Sequence, residues 1–173
     1  MNENLHASDE CFSIIIADEG YQADLNNDPD GNCEIGYGHL VHLGPIDGRP
    51  SEARFAVGIS ADQAIDLLRE DVHQDGELPV YGLVKVILTQ AQFDALVSFT
   101  YNEGAERLKD STLLRKLNAG DRAAVPAEFA KWVYGEGKKL AGLVKRRAQE
   151  AALFARDLAP AVDVNTKAAE VTA

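Results

Sequence analysis

Basic charge is scarce in this chain of 173 residues: 17 Lys and Arg stand against 28 Asp and Glu, a net charge of −11. That sign excludes unaided binding to nucleic acid and stable insertion into an anionic membrane. Cysteine is scarcer still. Cys11 and Cys33 are too few for a disulfide framework, and neither has a second Cys or a His at metal-ligand spacing. They read as free thiols of a reducing compartment, small apolar side chains rather than metal ligands. Long apolar runs are also missing from the start of the chain. Ile14–Ala17 is the longest there, far short of a membrane span. No basic n-region, apolar h-region or cleavage site precedes it, so the expectation is synthesis in the cytoplasm.

What is present is ordinary globular composition, 46% hydrophobic and 26% charged, which excludes collagen-like or largely disordered chains. The expected organisation is one domain over residues 1–157 and an Ala-rich tail over 158–173. Charge is uneven. Residues 1–60 hold 11 acids and 2 bases, whereas residues 101–157 hold 8 acids and 12 bases. Either two unlike surfaces or simple solubility accounts for the split.

Ser8 is placed to cap a helix through Cys11, Phe12, Ile15 and Ile16, although Ile14-Ile15-Ile16 is equally strand-like. Residues 20–50 are rich in Gly, Pro, Asn and Asp, with strand-like pieces such as Cys33–Tyr37, and read as a small hairpin or meander. Thereafter the pattern is helical. Ser60-Ala-Asp-Gln63 and Thr89-Gln-Ala-Gln92 are capping boxes. They lead into Ala64, Ile65, Leu68 and Val72, and into Phe93, Leu96, Val97 and Tyr101, at helical spacing. Ser111 opens a further helix stopped at Gly120. Pro126 suits the first turn of one that buries Phe129 and Trp132. Leu143, Ala148, Ala151 and Phe154 line the last. The outline is an α+β chain: a small β-rich lobe set into a larger helical one, with a cleft between them that is a natural ligand site.

Three carboxylates fall in the β-rich part: Glu19, Asp28 and Glu34. Two carboxylates across a cleft are what glycosidic bond hydrolysis requires, one giving its proton to the leaving oxygen and the other staying ionised. Asn26-x-Asp28-x-Asp30-Gly31 also has the opening of a calcium loop, but position one lacks Asp and position twelve is Tyr37 rather than Glu. No metal and no cofactor is expected.

Glu19-Gly20, Asn26-Asn27-Asp28-Pro29-Asp30-Gly31 and Ile35-Gly36-Tyr37-Gly38-His39 together closely resemble the phage-type lysozymes, glycoside hydrolase family 24. The resemblance continues through Phe93–Gly104, Ser111–Gly120 and Gly142–Glu150, and covers roughly residues 8–156. It implies a lysozyme-like fold and hydrolysis of the β-1,4 bond between N-acetylmuramic acid and N-acetylglucosamine in peptidoglycan. Glu19 corresponds to the family's general acid and Asp28, nine residues on, to its second carboxylate. Glu34 stands where the family has a Thr whose hydroxyl, with the Asp, holds the attacking water. Three outcomes stay open there. Glu34 crowds out the water and leaves a glycan-binding scaffold, or attacks the sugar itself and is trapped as a glycosyl-enzyme, or acts as a base for a repositioned water.

The resemblance also places Asn102 in the cleft as a sugar ligand, with Tyr37 stacking or bonding there. Gly36 and Gly38 serve a tight turn beside the site, and His39 is a structural residue with Asp71 as the expected partner. The family sets a basic residue near its Glu; Arg147, Lys138 and Lys139 are the candidates here. Lys145-Arg146-Arg147 has the look of a nucleic-acid patch, but the net charge argues against that partner. Encounter with the anionic wall instead falls to the basic half at 101–157, Arg146 and Arg147 included, or to local contacts. Trp132 reads as core. The expected protein is a monomer acting on peptidoglycan strands of the cell wall.

Overall fold

The Ser8 hydroxyl accepts the backbone N–H of Glu10 and opens helix α1 (Asp9–Glu19). With its first turn fixed this way, the isoleucine run is helical, and Cys11, Ile14 and Ile15 are buried. Gly20, at φ 73°, ends the helix and turns the chain outward. The structure is a computed structural model and describes residues 1–135 and 137–158. All but the first residue of the expected tail therefore lies outside the described residues.

The β-rich segment is a three-stranded antiparallel meander: β1 (Gln22–Asn27), β2 (Cys33–Gly36) and β3 (His39–His42), in that spatial order. Asn26 pairs with Glu34, and Ile35 with His39. Strand β2 stops at Gly36 rather than running through Tyr37, because Gly36 and Gly38 both take positive φ in the turn to β3. A Cβ on Gly36 would lie 3.2 Å from the Ala64 Cβ, so this glycine also allows the sheet to seat against the next helix.

A 3-10 turn (Pro50–Phe55) leads to α2 (Ala61–Asp71), whose capping box forms in both directions between Ser60 and Gln63. A π-helical turn (Val72–Glu77) and α3 (Leu78–Leu83) follow. Helix α4 (Gln90–Glu103) carries the second capping box, Thr89 with Gln92. It is more deeply placed than the apolar stripe Phe93, Leu96, Val97 suggests: every residue from Ala91 to Thr100 is buried. Its polar members are satisfied, as burial demands. Asp94 accepts the Ser8 N–H and hydroxyl at 3.0 and 2.6 Å, and the Thr100 hydroxyl donates to the Leu96 carbonyl.

Helices α5 (Ala105–Asp110), α6 (Thr112–Asn118) and α7 (Val125–Phe129) wrap the body. Ser111 caps α6, and Gly120 stops the chain just after it at φ 85°. Pro126 sits in the first turn of α7 and Phe129 is fully buried. Trp132 corrects the sequence reading. It lies beyond the end of α7, partly buried at the margin of the core, edge-on to Phe99 at 5.3 Å and under the Arg107 guanidinium. A short hairpin, β4 (Tyr134–Gly135) with β5 (Lys138–Lys139), was not legible as strands.

Helix α8 (Ala141–Ala155) brings the largest correction. Ala148 is exposed, and the buried face carries Arg146, Arg147 and Glu150 beside Leu153 and Phe154. No basic surface patch exists at Lys145-Arg146-Arg147, because both arginines are 1% exposed. Helix α8 packs on α4, α7 and α1, and the apolar core they share runs from Cys11 to Phe154. Among the described residues no helix is long and apolar enough to cross a membrane.

Phe99 lies at the centre of this core, edge-on to Phe129 and Trp132 and beneath Arg147. Urea unfolding of Phe99→Ala is expected to lose about 3–5 kcal/mol. Thr89→Ala, which removes only a cap, should lose about 1 kcal/mol.

Candidate active site

Glu19 occupies the last turn of α1, where the helical body gives way to the meander. Its Oε1 lies 3.4 Å from Arg146 Nη1, and the side chain is 30% exposed. On the other side, a Cβ added to Gly38 would stand 3.5 Å from its Oε2. The carboxylate thus sits at the junction of the two lobes, between an arginine of α8 and the β2–β3 turn. The cation is Arg146, a residue absent from the sequence-based candidates.

Arg146 is itself held. Its Nε faces Glu150 Oε1 at 3.4 Å and its Nη2 donates to the Ser98 carbonyl at 3.1 Å. Arg147, expected as the partner of Glu19, points elsewhere: its Nη2 donates to Asn102 Oδ1 at 2.7 Å, its Nη1 faces Glu103 at 3.3 Å, and its Nε faces Glu150 Oε2 at 2.9 Å. Lys138 and Lys139 are exposed on β5. The signal for Arg146 was present in the sequence. Arg146 and Glu150 stand four apart and Arg147 and Glu150 three apart, the spacings at which helix side chains pair. The burial of both arginines also overturns the reading in which Arg146 and Arg147 draw in an anionic wall, since each guanidinium faces protein carboxylates rather than solvent.

Burial pushes the Glu150 carboxyl up to about 7, although both guanidiniums and the Ser98 hydroxyl pull the other way. The Ser98 hydroxyl donates to Glu150 Oε1 at 2.7 Å. Nearby on α4, half-buried Tyr101 has its phenol raised, first by burial and then by the charges of Asp71 and Glu19.

Asp28 follows β1 in its own turn. The Asn32 backbone N–H donates to Oδ1 at 2.7 Å and the Asn32 amide to Oδ2 at 3.0 Å. The Asn32 backbone bond, followed by its side-chain bond, holds the Asp28 carboxyl below the usual carboxylate value, so it stays ionised well into acid. Both Asp28 oxygens are engaged within this turn. Glu34 lies on β2, two residues before Gly36 and so about 7 Å along the strand. Its Oε1 accepts the Asn26 amide at 2.8 Å.

His39 Nδ1 lies 2.9 Å from Asp71 Oδ2, the pairing read from the sequence. Tyr37 is half-buried, its ring 5.7 Å from that of Tyr21. Asn102 is occupied by Arg147 through its Oδ1.

Two measurements test these electrostatics. Carbon NMR titration of the Asp28 carboxyl should show its pKa rising toward the ordinary value in Asn32→Ala. For Glu150, the folded-state pKa near 7 exceeds the reference value of 4.5. Its contribution to stability is therefore complete below about 4.5 and is lost as pH climbs through about 7. Unfolding free energies measured from pH 4.5 to 8 should fall more steeply in the parent than in Glu150→Gln.

The chain matches the family model described as phage lysozyme over residues 17–150. It is 49% identical over 122 residues to the endolysin of Bacillus phage B103, covering 69% of this chain and 42% of that protein. It is 38% identical over 154 residues to the endolysin of Acyrthosiphon pisum secondary endosymbiont phage 1, covering 87% and 98%. Among solved structures, the muramidase domain of SpmX from Asticaccaulis excentricus superposes with a TM-score of 0.72 at 33% identity, covering 90% of this chain and 99% of that one. The chain spans about half the length of its Bacillus phage relatives. The α+β architecture of a small meander and a helical body is lysozyme-like, and the chain belongs to the phage lysozyme family.

Proposed function

We propose that this chain is a muramidase of the bacterial cell wall, hydrolysing the β-1,4 bond between N-acetylmuramic acid and N-acetylglucosamine. The observation that carries the reading is the position of Glu19 at the lobe junction, with Arg146 on one oxygen and Gly38 beside the other. Pinned on the Arg146 side, the carboxyl presents Oε2 toward the β lobe, the oxygen from which a proton would pass to the departing sugar oxygen. Asp28, kept anionic by Asn32, is the opposing carboxylate. Tyr37 and Asn102 line the glycan path, with Gly36, Gly38 and His39 shaping the turn. The chain acts as a monomer on peptidoglycan, without nucleic acid or cofactor.

One observation favours a second reading. Glu34 is fixed by the Asn26 amide, so a charged oxygen stands where the family's hydroxyl would hold water. In that reading a Glu34 oxygen bonds to the anomeric carbon while Glu19 protonates the leaving oxygen, and the resulting ester persists. Alternatively Glu34 only displaces the water, and the fold binds glycan without cutting it.

Muropeptide release from purified sacculi tests the set. Glu19→Gln should lower release by about 10²–10⁴-fold, the range for a lost general acid. Under the trapped reading the parent releases little, gains a stable mass in intact-mass analysis, and recovers turnover in Glu34→Thr. Under the binding reading there is no mass gain and only Glu34→Thr is active. If neither the parent nor Glu34→Thr releases muropeptides and no adduct forms, the muramidase proposal is wrong.

A further inference from the structure

Cys33 opens β2 and His42 closes β3, and the two face each other in register. Glu52, from the 3-10 turn at Pro50–Phe55, reaches over the same pair. One ligand atom from each of the three lies within 4.8 Å of the others. All three are covered: Cys33 is fully buried, and the side chains of His42 and Glu52 are 10% and 8% exposed.

The hydrogen bonds around the cluster hold two of its three members in place. His42 Nδ1 lies 3.1 Å from the Leu43 carbonyl, an acceptor only, so that nitrogen carries the proton. In the neutral ring the lone pair is then on Nε2, which lies 2.8 Å from Glu52 Oε1. Without a metal, a proton on Nε2 fills that contact and the ring donates to Glu52; a metal ion would take that proton's place. The carboxylate is held in turn by the N–H groups of Asp47 and Gly48, each at 2.9 Å. A ring nitrogen fixed by a backbone carbonyl and a carboxylate fixed by backbone amides are the supports that metal ligands ordinarily have.

We propose that Cys33, His42 and Glu52 bind a zinc-class divalent ion as a structural clip of the β lobe, with water as fourth ligand. Thiolate, imidazole and carboxylate together suit zinc, with bonds of about 2.0–2.3 Å. Tetrahedral ligands at those lengths stand about 3.4 Å apart, so the His42–Glu52 contact opens by about half an ångström on binding. Binding displaces the Cys33 thiol proton and the His42 Nε2 proton to solvent. The lobe has a use for such a clip. Cys33, Ile35 and Phe55 are buried but lie outside the main core cluster, so the meander and the 43–55 segment hold together with few apolar contacts of their own. This inference stands apart from the proposed hydrolase activity.

The test uses the full chain, stripped with chelator and titrated with Co²⁺ alone. A sulfur-to-cobalt charge-transfer band in the near ultraviolet is expected, bleached by Zn²⁺ and accompanied by a higher Tm with zinc. Cys33→Ser should abolish the band and Cys11→Ser should keep it. His42→Ala should weaken Zn²⁺ affinity at least about tenfold, as losses around such sites commonly do. If Cys33→Ser fails to fold, the parent's own band and the His42→Ala affinity decide. Absence of the band in the parent at saturating Co²⁺, its survival in Cys33→Ser, or unchanged affinity in His42→Ala would overturn the proposal.

Discussion

A guanidinium that is 1% exposed must be neutralised within the protein, and Arg146 meets that demand in two directions at once. Glu150 and the Ser98 carbonyl hold it from the helical core, and Glu19 faces it from the lobe junction. Leaving such a charge without its partners costs about 3–5 kcal/mol, comparable to emptying a large core position. The packing of α8 on α4 is thus not apolar packing alone. The two helices close around a polar seam in which Ser98, Arg146, Arg147 and Glu150 face one another, and Arg147 extends it to Asn102 and Glu103. The main core cluster and the candidate site share this seam, so a change in one is felt in the other.

The two principal carboxylates are consequently positioned by different means. Glu19 is fixed by long-range structure: the end of a buried helix, an arginine 127 residues away, and a glycine of the opposing turn. Asp28 is fixed locally, by a residue four positions on whose backbone and side chain both donate to it. In the proposed reaction these roles differ in what they require. A proton donor must be aimed at one oxygen of the substrate, which calls for a rigid frame. An anion has to remain ionised near the opposite face, which two hydrogen bonds from Asn32 secure. Gly38 belongs to the first device: its φ of 82° suits glycine, and a Cβ there would come into contact with the Glu19 oxygen.

Local chemistry was legible in the sequence; non-local chemistry was legible at His39 with Asp71 but not on the inward face of α8. Ser8, Ser60, Thr89 and Ser111 read as caps because a cap involves only residues two or three apart, and each caps a helix in the structure. The isoleucine run was ambiguous because three adjacent apolar residues fit either period. The inward face of α8 was misread because hydrophobicity places Arg outside a core, and only a partner on another element makes its burial tolerable. Glu19 and Asp28 stood out through the spacing that resembles the family. Asn32 and Arg146, which hold them, carried no comparable mark. Cys33 and His42 are nine residues apart, and their meeting depends on the register of β2 with β3.

The charge split of the chain takes on a different meaning in this light. Read as sequence, a basic C-terminal half opposite an acidic N-terminal one suggests two surfaces. In the fold, much of that basic charge is directed inward or paired. Arg146 and Arg147 are internal, Lys116 and Lys131 both bind buried Glu128, and Arg107 binds Glu103. The acids of the meander are not consumed in the same way, since Asp28 and Glu34 are held by neutral amides rather than cations. A neutral donor fixes a carboxylate without cancelling its charge. The lobe that carries the candidate chemistry therefore keeps its negative field, and Arg146 is the cation that the helical body sets against it at Glu19. Under the proposed function, recognition of an anionic polymer in such a field has to come from short-range contacts with the glycan, because long-range attraction is not available from this face of the molecule.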